Sequence, residues 1–319
     1  MPARRDVDVA DLINRARHAD PRAVARLISF VESNSPLLRE VAAGLAGTPT
    51  RAHVVGLTGS PGVGKSTTTN ALVSTLRARG DRVGVLAVDP SSPFSGGALL
   101  GDRIRMNDHS SDEGVFIRSM ASRGQLVGLA AAVPQALRVL DAAGCDTILI
   151  ETVGVGQAEI EIASLADTTL LILAPGLGDG IQAAKAGVVE IADVYLVNKA
   201  DRGGAEQVTR DLRQVQGMSA GRHAGWKAAI LKASAASGEG IEAVVDALTA
   251  HRSWLESSGE LEQRRWRRAA TEIEAIALGS VRERFAAVAG PAALDAAATS
   301  VVSGDTDPYQ AAEALIEAL

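Results

Sequence analysis

Aromatic side chains are scarce, at 3% of 319 residues, while 46% of the chain is hydrophobic. Any core must therefore be aliphatic, built from Ala, Val, Leu and Ile. Cysteine occurs once, as Cys145, which excludes an internal disulfide and a multi-cysteine metal site. Its place just before an apolar run predicts a small buried hydrophobe. The five histidines, His18, His53, His109, His223 and His251, are scattered rather than clustered. A basic excess is missing too: 32 Lys and Arg stand against 38 Asp and Glu, a formal charge of −6. The chain lacks the electrostatic footprint of an unspecific nucleic-acid binder, so no nucleic-acid partner is expected. No uninterrupted apolar run is long enough to span a bilayer. No N-terminal stretch joins a charged start, an apolar segment and a cleavage site. The expectation is a cytoplasmic protein without a membrane partner.

What the chain does contain is organised around Gly59-Ser60-Pro61-Gly62-Val63-Gly64-Lys65-Ser66. This matches G-x-x-x-x-G-K-[ST], the phosphate-binding P-loop. A short buried strand, His53 to Thr58, precedes it. Lys65 to Arg79 follows as a helix with Ala71, Leu72, Thr75 and Leu76 on one face. Glycines allow the tight turn and bring N–H groups onto phosphate oxygens. The helix N-terminus adds partial positive charge. Lys65 supplies a point charge to the β- and γ-phosphates, and Ser66 offers a hydroxyl to Mg²⁺.

Around this loop the pattern alternates. Residues 1–50 read as an N-terminal helical extension, with Asp20 capping a helix that opens on Pro21 and carries Val24, Leu27, Ile28 and Val31 on one face. It is either a cap on the nucleotide domain or an arm for a partner. Strands are expected at Arg82–Val88, ending on Asp89, and at Gly114–Arg118, Cys145–Ile150, Thr168–Ala174, Val194–Val197 and Trp226–Leu231. Helices lie between them, among them Gln125–Ala143, which Pro134 should kink. The fold class is α/β: a P-loop NTPase with a mostly parallel sheet covered by helices on both faces, over residues 51–258. In such sheets the ligand sits at the carboxyl ends of the strands, where Asp89, Glu151 and Asn198 fall. Residues 259–319 form a C-terminal helical segment. Its first helix, Glu260 to Ala289, is stopped by Gly290-Pro291, and its last covers Pro308 to Leu319. An apolar stripe, Trp266, Ala269, Ala270, Ile273, Ile276, Ala277, Val281, Phe285 and Val288, needs a surface to cover it, either its own domain or a second subunit, and a homodimer is expected. The basic group Arg264, Arg265, Arg267 and Arg268 reads as a solvated helix face, with an acidic partner surface as the alternative.

Asn198-Lys199-Ala200-Asp201 after an apolar strand matches N-K-x-D, the guanine-reading motif. A carboxylate at Asp201 can accept from guanine N1–H and the exocyclic amine; adenine offers neither donor there. Ala233 to Gly240 is similar to the second guanine loop of GTPases, in which a backbone N–H at Ser234, Ala235 or Ala236 reaches the guanine O6. GTP and GDP are thus expected over ATP. Asp89 and Glu151 are candidates for the Mg²⁺ shell, with helix capping or a surface ion pair as the alternative. Glu151-Thr152-Val153-Gly154 occupies the place of D-x-x-G, where the Gly154 N–H can reach the γ-phosphate. Val155 stands where small GTPases carry a water-orienting Gln, and Gln157 comes too late to replace it. Slow intrinsic hydrolysis follows.

Taken together, Gly59 to Thr68, Val88-Asp89-Pro90-Ser91-Ser92-Pro93-Phe94, Gly101-Asp102-Arg103, Glu151 to Gln157 and Asn198 to Asp201 resemble the MeaB/ArgK family. These are P-loop GTPases associated with methylmalonyl-CoA mutase. The resemblance is close over residues 20 to 255. It implies a signal-recognition-type P-loop fold, often dimeric through C-terminal elements. It also implies a chaperone whose GTP cycle gates adenosylcobalamin loading of the mutase and protects it. By the same resemblance Pro61, Gly62, Val63, Gly64, Lys65, Ser66 and Thr67 hold nucleotide. Lys65, Ser66, Asp89, Asp102 and Glu151 surround phosphate and Mg²⁺, with Lys65, Asp102, Glu151 and Lys185 as the catalytic set. Pro175 to Lys185 is implied to be a mobile switch, with Lys185 reaching nucleotide or partner. Two other functions compete. One is a transport-linked ATPase or kinase for basic amino acids, which the guanine motif disfavours. The other is a nickel-inserting metallochaperone GTPase, which the scattered histidines and lone cysteine disfavour.

Overall fold

A computed structural model describes residues 7–89, 109, 111–121, 126–152, 164–176, 188–218, 225–288 and 290–318. Two compact units divide the chain, Met1–Arg268 and Ala269–Leu319.

The first unit is a seven-stranded sheet in the order β3-β2-β4-β1-β5-β6-β7. Its strands are β1 (His53–Thr58), β2 (Val83–Asp89), β3 (Val115–Ala121), β4 (Thr147–Thr152), β5 (Thr168–Leu173), β6 (Val194–Val197) and β7 (Ala229–Lys232). Every pairing is parallel. Such a sheet must be covered on both faces, and alternate residues of each strand serve opposite cores. Val54, Leu86, Ile148 and Ile150 face one core. It is filled from helices α1 (Val9–Arg17), α2 (Pro21–Glu32), α3 (Leu38–Leu45) and α5 (Leu126–Ala142). Val55, Leu57, Val85, Leu149 and Ile172 face the other, packed by α4 (Lys65–Ala78) and α7 (Ile241–Ser258). A third cluster joins Leu171, Leu173, Tyr195 and Val197 to Leu212 of α6 (Ala205–Met218). Aliphatic side chains supply nearly all of this, and Cys145 is buried among them.

The N-terminal helices cover sheet. Asp8 and Asp20 cap α1 and α2 through their carboxylates. Val24, Leu27, Ile28 and Val31 are buried, and Arg118 of β3 reaches Ser29 and Glu32 of α2 at 3.0 and 2.7 Å.

Several strand boundaries move. β3 runs on to Ala121 rather than Arg118, and β4 to Thr152 rather than Ile150. β4 starts at Thr147 rather than Cys145, because Gly144 takes a positive φ of 79° and the Cys145 N–H returns to the Leu140 carbonyl, closing α5. β7 starts at Ala229 rather than Trp226, and Trp226 instead donates its indole N–H to the Asp193 carbonyl at 2.9 Å. Gly290-Pro291 ends α8 (Glu260–Val288) as expected but also opens a helix the sequence reading omits, α9 (Gly290–Ser303). Proline in a first turn loses no intrahelical bond, and the alanine-rich run behind it propagates. α10 (Pro308–Glu317) closes the chain under an Asp307 cap.

The arginines of α8 correct a second expectation. Only Arg267 is solvated, its side chain 60% exposed. Arg264 forks onto the buried Asp193 with bonds of 2.8 and 2.9 Å. Arg268 bonds the Leu165 carbonyl at 2.6 Å and lies 3.4 Å from the buried Asp167. Arg265 donates to the Thr50 carbonyl at 2.7 Å. The two aspartates themselves accept from strand N–H groups, Asp167 from Val54 and Asp193 from Thr169. Four unpaired charges at one helix turn would be a solvated face. Two buried carboxylates at the strand bases convert three of them into anchors.

Candidate functional site

The opposite, carboxyl end of the sheet gathers the polar loops. β1 runs into the P-loop, where Gly59, Gly62 and Gly64 have φ of 145°, 83° and 95°. Two of these glycines are forced by space as well as by dihedral. A Cβ on Gly59 would lie 2.2 Å from the Ile172 carbonyl oxygen, and one on Gly64 2.5 Å from Asn198 Nδ2. Gly64 caps α4 without any side-chain hydrogen bond. The opening N–H groups of a helix have no carbonyl of their own helix to bond, so this end suits an anion.

Lys65 is buried and donates from Nζ to the Gly59 and Ser60 carbonyls at 2.6 and 3.3 Å. Its ammonium thus sits inside the curl of the loop. Pro61, Gly62 and Thr67 are exposed around it, and Val63 is buried beneath. Glu151 is 2% exposed at the end of β4, on the sheet face that carries α4. Its Oε1 accepts from Ser66 Oγ at 2.6 Å and its Oε2 from Thr69 Oγ1 at 2.8 Å. Thr69 escapes a motif search, because P-loop patterns stop at the residue after Lys65. Its position three residues beyond Ser66, on the same helix face, is the signal that could have found it.

The guanine-motif loop is bolted to the P-loop. Asn198 donates from Nδ2 to the Val63 carbonyl at 2.8 Å and accepts at Oδ1 from the Ala235 N–H at 3.0 Å. Lys199, in the left-handed region at φ 57°, donates from Nζ to the Gly62 carbonyl at 2.7 Å. One asparagine therefore holds three loops in register: the P-loop, its own turn and the loop after β7. In the last of these the Ser234 N–H is committed to Glu239 and that of Ala235 to Asn198. The Ala236 N–H has no partner among the described residues and sits in an exposed turn. Asp201 is exposed, also without a partner among the described residues. The site thus brings together Lys65, Ser66, Glu151, Asn198 and Lys199. The backbone of Asp89 ends β2 on the same edge. Asp102, Gly154 and Lys185 lie outside the described residues, as does most of the expected switch. No cluster of three His, Cys, Asp or Glu side chains that could hold a metal occurs among the described residues.

This fold and these loops define a class, the P-loop GTPases. Residues 24–289 match the family described as methylmalonyl-CoA mutase-associated GTPase MeaB. The chain belongs to that family. A Pyrococcus abyssi protein named as a GTPase is 44% identical over 311 residues, 97% of this chain and 96% of the relative. The Escherichia coli protein named GTPase ArgK is 33% identical over 287 residues, 85% of this chain and 86% of the relative. A solved structure described as an LAO/AO transport system kinase superposes with a TM-score of 0.72 at 25% identity, over 99% of this chain and 98% of that one.

Proposed function

We propose that this protein binds GTP and GDP with Mg²⁺, hydrolyses GTP slowly, and acts as a chaperone of adenosylcobalamin-dependent methylmalonyl-CoA mutase, gating cofactor loading and protecting the mutase. The observation that carries it is the double hydrogen bond of Asn198, which fixes the phosphate loop and the base-reading loops in one register. Within that frame Asp201, whose carboxylate has no partner among the described residues, faces guanine N1–H and its amine, and Ala236, whose N–H has none among them either, serves O6. The Ser66 hydroxyl and the Glu151 carboxylate are hard oxygen donors 2.6 Å apart, a set that suits Mg²⁺. In this reading Lys65 moves its ammonium from the loop carbonyls to the β- and γ-phosphates, while Asp89, Asp102, Gly154 and Lys185 complete the phosphate end. The choice of mutase as client rests on the family to which the chain belongs.

The same reading makes the protein a homodimer through its C-terminal helices. Trp266, Ile273, Ile276 and Val281 are 72%, 68%, 46% and 53% exposed along α8. That stripe suits a second copy of itself.

The test is hydrolysis with and without the client. GTP turnover by the protein alone is expected to be slow, and addition of an adenosylcobalamin-dependent methylmalonyl-CoA mutase to raise it at least about tenfold, because binding completes a geometry the free protein lacks. A basal rate that no mutase alters, with no co-purification of the two proteins, would overturn the chaperone reading.

A further inference from the structure

We propose that Thr69 is a positioning residue for Glu151, setting the rotamer in which the carboxylate serves the divalent-cation site at Ser66. The proposal rests on the nucleotide-binding reading above and extends it to a side chain outside the P-loop motif.

Glu151 comes off a strand and reaches the first turns of α4, where Ser66 and Thr69, three residues apart, share one face. Each hydroxyl takes one carboxylate oxygen, at 2.6 and 2.8 Å. Two hydroxyls, one on each oxygen, restrict rotation about χ3, which is otherwise a broad torsion, and removing one relaxes that restriction. Thr69 is 0% exposed, so no water substitutes for it without opening the helix–sheet contact.

A second acceptor lies within reach of the same hydroxyl, the Lys65 carbonyl one turn back at 3.1 Å. Threonines inside helices commonly bond back in this way, and that bond alone would give Thr69 only a structural part. One hydroxyl has one proton. The nearer and charged acceptor takes the larger share of it, so the bond to Glu151 dominates while the carboxylate is ionised. Serine keeps this hydroxyl, and valine keeps the shape without it.

The consequence falls on the cation, not on the base or the phosphates. With its proton directed at Glu151 Oε1, Ser66 Oγ turns its lone pairs outward to a cation, and the bond from Thr69 to Oε2 helps to set the direction of Oε1. Losing Thr69 Oγ1 loosens that arrangement and leaves Lys65, Asn198 and Asp201 unaltered.

The experiment follows the release of a fluorescent GDP analogue as Mg²⁺ is titrated, for the wild type, Thr69→Val, Thr69→Ala and Thr69→Ser. The Mg²⁺ concentration at half-maximal slowing of release is expected to rise roughly three- to tenfold in Thr69→Val and Thr69→Ala, the net worth of one ordinary hydrogen bond, since Thr69 acts on the cation only through Glu151. In Thr69→Ser it should return to within about twofold of the wild type, since the hydroxyl is kept. GDP affinity in chelator should be equal in all four, which a merely structural defect would not leave untouched. A Val or Ala variant with the wild-type Mg²⁺ midpoint overturns the role of Thr69 and leaves the nucleotide reading standing. A wild type whose GDP release ignores Mg²⁺ overturns both.

Discussion

Replacing Arg264 by Met puts the most weight on the packing account. The guanidinium donates to both oxygens of Asp193, at 2.8 and 2.9 Å, and to the Asp167 carbonyl at 2.8 Å. Asp193 is 1% exposed, and Arg264 keeps 17% of its side chain accessible. Burial lowers the Arg264 pKa, but the Asp193 hydrogen bonds and charge more than reverse this and raise it. Methionine fills most of the same volume and removes all three bonds. The carboxylate then keeps the Thr169 N–H at 2.8 Å and the His251 ring at 3.4 Å, too little to replace a bidentate cation. A buried charge stripped of its partner costs about 3 kcal/mol or somewhat more. For a unit of this size that corresponds to a fall in Tm of about 6–10 °C. Circular dichroism melts of the wild type, Arg264→Met, Asp193→Asn and the double variant measure it. The double variant should recover much of the loss, because the stranded charge is gone. A fall below about 2 °C, or a double variant no better than Arg264→Met, would show that the pair does not anchor α8.

Three further outcomes are expected. His53, buried and bonded to Thr168 at 2.7 Å, has its pKa lowered to about 4, mainly by burial. Its contribution to stability is full above the unfolded value near pH 6.5 and is lost as pH falls toward 4, about 3 kcal/mol in all; urea melts across that window should slope less for His53→Gln, and equal slopes would refute it. Light scattering of the full chain at micromolar concentration should give twice the 32.9 kDa chain mass, and a monomeric mass would remove the dimer. Mutase-stimulated turnover, described above, should vanish in Lys65→Ala, and a variant that still responds would place the phosphate contact elsewhere.

Local patterns were the legible part of the sequence. The P-loop, the N-K-x-D turn and the strand-then-helix alternation each declare themselves within a dozen residues. They are enough to give a parallel sheet and the loops at its carboxyl edge. The chain's long-range pairings were not legible. Nothing near Arg264 in sequence announces Asp193, so its charge read as solvent-facing. Nothing near Glu151 announces Thr69, since the link exists only once β4 lies beneath α4. The helix at Gly290 was missed because a Gly-Pro step reads as an end, although proline serves equally as a beginning. Asn198 was legible as a motif residue, yet its two bonds to separate loops needed the fold.

The central claim is guanine recognition through Asp201, and calorimetry tests it most directly. Titration of GDP and ADP in Mg²⁺ should show GDP binding at least about 100-fold tighter, because adenine leaves the Asp201 carboxylate without its donors. Asp201→Asn should weaken GDP and favour the xanthine nucleotide, which replaces a donor by an acceptor. Equal affinity for GDP and ADP, or an Asp201→Asn variant with unchanged preference, would contradict the account.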